Sequence, residues 1–203
     1  GWAIEGAIGS QFKIDASYLS PNVNLASRLE AATKQYGVPL LFSGELYARL
    51  STKVQQKTRL IDVVTVKGSV QPMEIYTCDM DVNDLIVGRD RRKMAKKEKE
   101  EKHFAQKELF EDMLYYGETN QILELDKEIQ HLLRHQDPIF NELFALGFNG
   151  YIEGDWTLAK KKFEECLAIK SDDGPTRNLM AFLAESDFIS PEDWKGFRVL
   201  TDK

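Results

Sequence analysis

Up to about residue 80 the chain alternates short apolar runs with polar breaks, and beyond it apolar positions recur at helical spacing. Residues 2–8 and 11–18 read as two extended runs. Gly9-Ser10 supplies the tight turn between them, since glycine tolerates the positive φ that hairpin turns require. Over residues 22–36, Val23, Leu25, Ala26, Leu29 and Ala32 form one apolar stripe, which predicts a helix. Gly37 follows the stripe and Pro39 comes two residues later, a helix stop signal. Val38 to Phe42 reads as a buried strand, and Ser43 can cap a short helix through Leu50. Residues 60–67 and 72–78 read as two more strands, joined at Lys67-Gly68-Ser69. Strands alternating with helices predict an α+β or α/β sheet layer.

The later part is predicted to be helical. From Arg89 to Lys102 the charges crowd together, basic first and then Glu98, Glu100 and Glu101. This block reads as a solvated helical connector running into Phe104, Leu109, Phe110, Met113 and Leu114. A basic patch for an anionic lipid surface or an acidic partner is the rival reading, which the interleaved glutamates weaken. After Gly117 a helix is expected around Ile122 to Leu133, and Asp137 is placed to cap another that starts at Pro138. His131 and His135 share a face at i, i+4 spacing but lack a nearby Glu or Cys pattern, so they read as surface or packing histidines. Leu143, Gly147, Tyr151, Gly154, Ala159 and Phe163 resemble a single tetratricopeptide-type helical hairpin, with Gly154-Asp155-Trp156 at its turn. One copy is too few for a solenoid, so this hairpin should pack against neighbouring helices or a partner. Trp194 and Phe197, in the polar stretch Ser190 to Arg198, suggest a docked end rather than a free one.

Composition narrows the function classes. With 203 residues the chain can bury a real core. A net charge of -6 gives no electrostatic footprint for nucleic acid. No apolar run approaches the roughly 20 residues of a membrane span. Cys78 and Cys166 are far apart and fit no metal spacing, so they read as reduced thiols. Gly1 to Gly9 reads as a strand already under way, which leads us to expect a piece of a longer protein.

One stretch is more specific than the rest. Residues 12–30, Phe12-Lys13-Ile14-Asp15-Ala16-Ser17-Tyr18-Leu19-Ser20-Pro21-Asn22-Val23-Asn24-Leu25-Ala26-Ser27-Arg28-Leu29-Glu30, resemble the signature of class III adenylyl and guanylyl cyclases. In that family a strand and loop lead into a helix carrying V-N-x-A-(A/S)-R. Glu5-Gly6-Ala7-Ile8-Gly9 resembles the hairpin before it, and Val66-Lys67-Gly68 resembles the V-K-G near the domain's end. The resemblance covers residues 1 to about 80, with three motifs in order. It implies an α+β fold: half of a ferredoxin-like cyclase domain over 1–80, a charged helical connector over 81–136, and an all-helical tail over 137–203.

The resemblance also implies a chemistry. The ribose 3′ oxygen attacks the α-phosphorus of the same nucleotide and pyrophosphate leaves, so the protein's work is positioning and charge stabilisation. Asn24 and Arg28, at i, i+4, can point at one ligand. By resemblance Asn24 orients the ribose, Arg28 stabilises charge on the α-phosphate, and Lys67 binds the triphosphate. Ser17, seven residues before Asn24, stands where the family selects its base; serine donates and accepts, and ATP is favoured over GTP. Singly, each residue has a plainer reading: a helix-bridging Asn, a surface-paired Arg, a turn Lys. Ser20-Pro21-Asn22 departs from the usual Gly, Asp or Asn, Thr, and is similar to cyclases of single-celled eukaryotes.

Further implications concern parts that lie elsewhere. The two Mg²⁺ or Mn²⁺ ions of the family are held by aspartates of the domain's other half. Sites lie at a dimer interface, so a second cyclase domain is an expected partner and this piece alone is expected to be inactive. The parent is expected at a cytoplasmic face, membrane-anchored or ciliary, with no nucleic acid partner. The rival is a silent cyclase-like module that serves as an assembly subunit, its tail bound to another protein.

Overall fold

The computed structural model describes residues 1–10, 12–66, 71–80, 104, 107–108, 111, 127–133 and 137–200. The architecture is mixed α+β, in two compact units. One unit comprises Gly1–Arg49, Arg59–Cys78 and Asp137–Lys203; the other comprises Leu50–Thr58 and Asp79–Gln136. The charge block Arg89 to Lys102 and the expected helix start at Ile122 lie outside the described residues, as does His135.

The first unit opens with an antiparallel hairpin. Strand β1 (Ile4–Gly9) pairs with β2 (Ile14–Leu19), Ile4 opposite Leu19 and Gly9 opposite Ile14. Helix α1 (Pro21–Tyr36) follows directly. Ser20 caps it, its Oγ accepting from the Asn22 N–H at 3.0 Å, and Pro21 occupies the first turn, where a missing N–H costs nothing. The Ser-Pro-Asn departure is therefore a helix start. Gly37, at φ 62°, closes the helix in the left-handed conformation that disfavours a Cβ. The strand expected over 38–42 is only β3 (Phe42–Ser43), and the helix expected through Leu50 is only α2 (Gly44–Tyr47), capped by Ser43. Strands β4 (Thr58–Thr65) and β5 (Met73–Cys78) form near their expected positions. In the second unit lie α3 (Thr52–Gln55) and α4 (Lys127–Leu133).

The C-terminal segment supplies α5 (Pro138–Glu153), α6 (Trp156–Ile169), α7 (Gly174–Ala184) and β6 (Arg198–Val199). It is thus not helical throughout, as the sequence reading expected. β6 runs parallel to β4, with Val64 opposite Arg198 and Thr65 opposite Val199, in a sheet ordered β3-β5-β4-β6. Helices α5 and α6 form a hairpin at Gly154, whose φ of 87° lets the chain reverse. Their close approach uses Gly147, where a Cβ would stand 2.8 Å from the buried Phe163 ring.

Sheet and helices share one core. Ile61, Val64 and Ile75 from the sheet meet Leu29, Ala32 and Tyr36 of α1, and Phe144, Tyr151, Phe163, Leu179 and Leu183 of the later helices. Burying each such side chain contributes about 1.5–3 kcal/mol. Trp194 closes the edge: its indole N–H donates to the Tyr151 carbonyl at 2.9 Å, and its ring packs 5.2 Å from both Tyr151 and Trp156. The terminal aromatic is docked on its own chain.

Two buried charge clusters join the sheet to these helices. Arg59 of β4 meets Asp173, the α7 N-cap, at 2.8 Å, and its guanidinium lies 4.3 Å from the Phe144 ring centre. Burial opposes the Asp173 carboxylate, yet Arg59 and the Thr176 hydrogen bonds outweigh it and hold the group below the usual carboxylate range. The second cluster centres on Asp62, wholly buried in β4. It accepts from the Tyr36 hydroxyl at 2.7 Å, the Tyr151 hydroxyl at 3.1 Å, the Arg198 Nε–H at 2.7 Å and the Val63 N–H at 2.8 Å. Burial, then the Asp62 charge, drives both phenols well above their ordinary range.

Candidate functional site

The site grows from the start of α1. Because Ser20 fixes the first turn, Asn24 and Arg28 fall one turn apart on one face. The Asn24 N–H donates to the Ser20 carbonyl at 3.2 Å, which leaves its side chain to the surface. Both residues line a single cleft of about 820 Å³. Asn24 is exposed and Arg28 half-buried, so the guanidinium stands on the wall and outside the core. Ser43, Gly44 and Glu45 line it as well, with Met73 and Glu74 at the start of β5.

Glu74 has its own support. The Tyr76 hydroxyl donates to Glu74 Oε2 at 2.8 Å, and Tyr47 stacks on Tyr76 with ring centres 4.1 Å apart. Burial, then the Glu74 hydrogen bond, pushes the Tyr76 phenol upward, so it stays a donor. The cleft is therefore lined by an amide, a planar cation and two carboxylates. A ligand with an anionic group and several hydrogen-bonding groups suits such a lining.

The other sequence-derived positions fare differently. Ser17 lies on β2 opposite Gly6, half-buried, and is not among the cleft residues. Lys67 lies outside the described residues, although Val66 and Gln71 on either side of that gap both line the cleft. Among the described residues no group of three or more His, Cys, Asp or Glu could hold a metal ion, so these residues do not fit a metal pair. No helix among them is long and apolar enough to cross a membrane.

Sequence reasoning missed Glu45, Glu74 and the Asp62 cluster. Asp62 left a signal: a carboxylate inside the apolar run Leu60 to Val64 needs buried partners. Nothing local marked those partners, since Tyr151 and Arg198 come from far along the chain.

Comparison with known proteins follows the motif. The chain is 38% identical over 77 residues to "Adenylate cyclase" of Anabaena cylindrica, covering 37% of this chain and 15% of that protein. It is 33% identical over 76 residues to "Adenylate cyclase 1" of Rhizobium meliloti (strain 1021), covering 37% and 11%. It is 34% identical over 77 residues to "Adenylate cyclase, terminal-differentiation specific" of Dictyostelium discoideum, covering 37% and 4%. No family model matches the chain, and no solved structure does. The chain thus contains an adenylate-cyclase-related region and spans between 4% and 15% of the length of these relatives.

Proposed function

We propose that this chain carries the ribose- and phosphate-facing half of a class III adenylyl cyclase site, with ATP the substrate and GTP the second choice. The observation that carries this is that Asn24 and Arg28, one turn apart on α1, both line one cleft. The cleft volume falls within the range of about 300–1,000 Å³ usual for small-molecule sites. In this reading the 3′ oxygen loses its proton and bonds to the α-phosphorus, the bond to the β-phosphate breaks, and pyrophosphate departs. Asn24 orients the ribose for in-line attack, and Arg28 stabilises the charge that builds on the α-phosphate. Lys67 binds the triphosphate and Ser17 faces the base; both roles rest on the resemblance.

The reading includes two Mg²⁺ or Mn²⁺ ions whose ligands belong to the domain's other half, and a second cyclase domain across the site. It also accounts for the apolar surface of the β1–β2 hairpin, where Ile4, Ile8, Ile14, Tyr18 and Leu19 are all exposed. Residues 1–80 are then half of a ferredoxin-like domain, and α5–α6 is a tetratricopeptide-like hairpin appended to it. The terminal aromatic that suggested a docked end packs on this chain's own helices.

The test is cyclic-nucleotide production by the full-length parent with Mn²⁺ and either ATP or GTP, beside Asn24→Ala and Arg28→Ala. Activity with ATP is expected, with a loss on the order of 10²-fold or more for Arg28→Ala, the scale of removing one transition-state donor. No turnover of either nucleotide by a folded, dimeric parent would sink the proposal and favour the silent module.

A further inference from the structure

We infer that Arg198 is a positioning residue and that residues 198–200 act as a clamp, holding the site helix and the exit of β4 in register across the cleft. Its catalytic consequence rests on the cyclase reading; its structural basis does not. The side chain of Arg198 reaches α1. Its Nε–H donates to Asp62 at 2.7 Å, and its terminal nitrogen donates to the Tyr36 hydroxyl at 3.2 Å and to Asn178 Oδ1. Tyr36 is the last residue of α1, the helix that carries Asn24 and Arg28. Asn178 completes the grip, its amide donating to the Gln35 carbonyl at 3.2 Å. The same guanidinium lies 4.8 Å from the Phe182 ring centre, which fixes its plane.

The backbone of the segment reaches β4. Arg198 and Val199 pair with Val64 and Thr65, and the Leu200 N–H donates to the Thr65 carbonyl at 2.8 Å. Val66, the residue that follows β4, lines the cleft. Three consecutive residues thus span from the end of the site helix to the strand that enters the site. Stability alone does not call for this arrangement. Arg198 is 10% exposed and Asp62 wholly buried, and replacing such a buried ion pair with apolar side chains is often neutral or stabilising. What a planar guanidinium with fixed partners adds is orientation.

The test compares Arg198→Ala, Arg198→Lys and Ile189→Ala in the full-length parent, by steady-state kinetics with ATP and by amide hydrogen exchange. Ile189 is 71% exposed, lies outside the clamp and serves as the control, expected to match the parent. For Arg198→Ala we expect kcat to fall about 10²-fold with little change in KM, the mark of misplaced rather than missing contacts. Exchange should accelerate at least about 10-fold in residues 29–37 and 62–66 while staying within about 2-fold in α5 and α6, as local opening requires. Arg198→Lys should fall between, because a point charge meets Asp62 but cannot also bridge Tyr36 and Asn178. Equal acceleration throughout the unit, unchanged exchange in α1, or faster α1 exchange with kcat intact each overturns the clamp. If the parent makes no cyclic nucleotide, the cyclase reading falls and the exchange pattern alone decides the clamp.

Discussion

Removing Asp173 should cost more than removing both members of its ion pair. Arg59 and Asp173 are 7% and 2% exposed at their side chains, so neither charge can turn to water when its partner goes. In Asp173→Ala the guanidinium stays against the Phe140 and Phe144 rings with its carboxylate gone, a loss of about 3–5 kcal/mol. The cap contacts to the Thr176 N–H at 2.9 Å and hydroxyl at 2.6 Å vanish too, adding about 1 kcal/mol. In Arg59→Met the Thr176 bonds survive and the thioether still packs on the rings, so about 2 kcal/mol is expected. The double variant buries no orphan charge, and its loss should fall to about 1–2 kcal/mol, below that of Asp173→Ala alone. Urea unfolding of the chain, followed by tryptophan fluorescence, reads all four corners of the cycle. Additive losses would refute the reasoning. The same pair sets an acid limit. The folded carboxylate titrates below its unfolded value, so the pair's contribution is complete above the usual aspartate range and is lost as pH falls through the folded value, below about pH 4. Arg59→Met should flatten that acid dependence.

Gly147→Ala should destabilise by up to about 2 kcal/mol in urea unfolding: a helical alanine gains about 1 kcal/mol, but a Cβ 2.8 Å from the buried Phe163 ring overpacks by about 1–3 kcal/mol. A variant as stable as the parent would show that the ring can yield. Alkylation at pH 8, mapped by mass, should label half-buried Cys78 well before Cys166, which burial pushes up to about 11 and which has no exposed surface. Equal rates would mean that the hairpin core opens readily.

The elements legible in the sequence were those with local signals. Ser20, Pro21 and Gly37 marked both ends of α1, and Asp137-Pro138 and Gly154 marked α5. Helical spacing placed Asn24 and Arg28 on one face, and one cleft does hold both. What local pattern could not supply was long-range pairing. β6 is two residues long, too short for any periodicity, and exists because β4 offers it an edge. The same holds for the two carboxylates: Glu45 and Glu74 meet the cleft from α2 and the start of β5, which no motif marks. A short strand such as β3 also loses its signal once Ser43 diverts the chain into α2.

The parallel pairing of Val64 with Arg198 has a consequence for synthesis. Ordering a contact this remote in sequence carries a loop-closure cost that grows only slowly with length, but it cannot begin before its later member exists. While a ribosome is still adding α5 to α7, Asp62 waits inside a hydrophobic strand without Arg198, and the exit of β4 has no neighbour on that side. This part of the chain should therefore complete its core only once residue 198 has been made. A chain cut short before residue 198 would keep α1 and its cleft residues but leave Asp62 without Arg198 and β4 without β6.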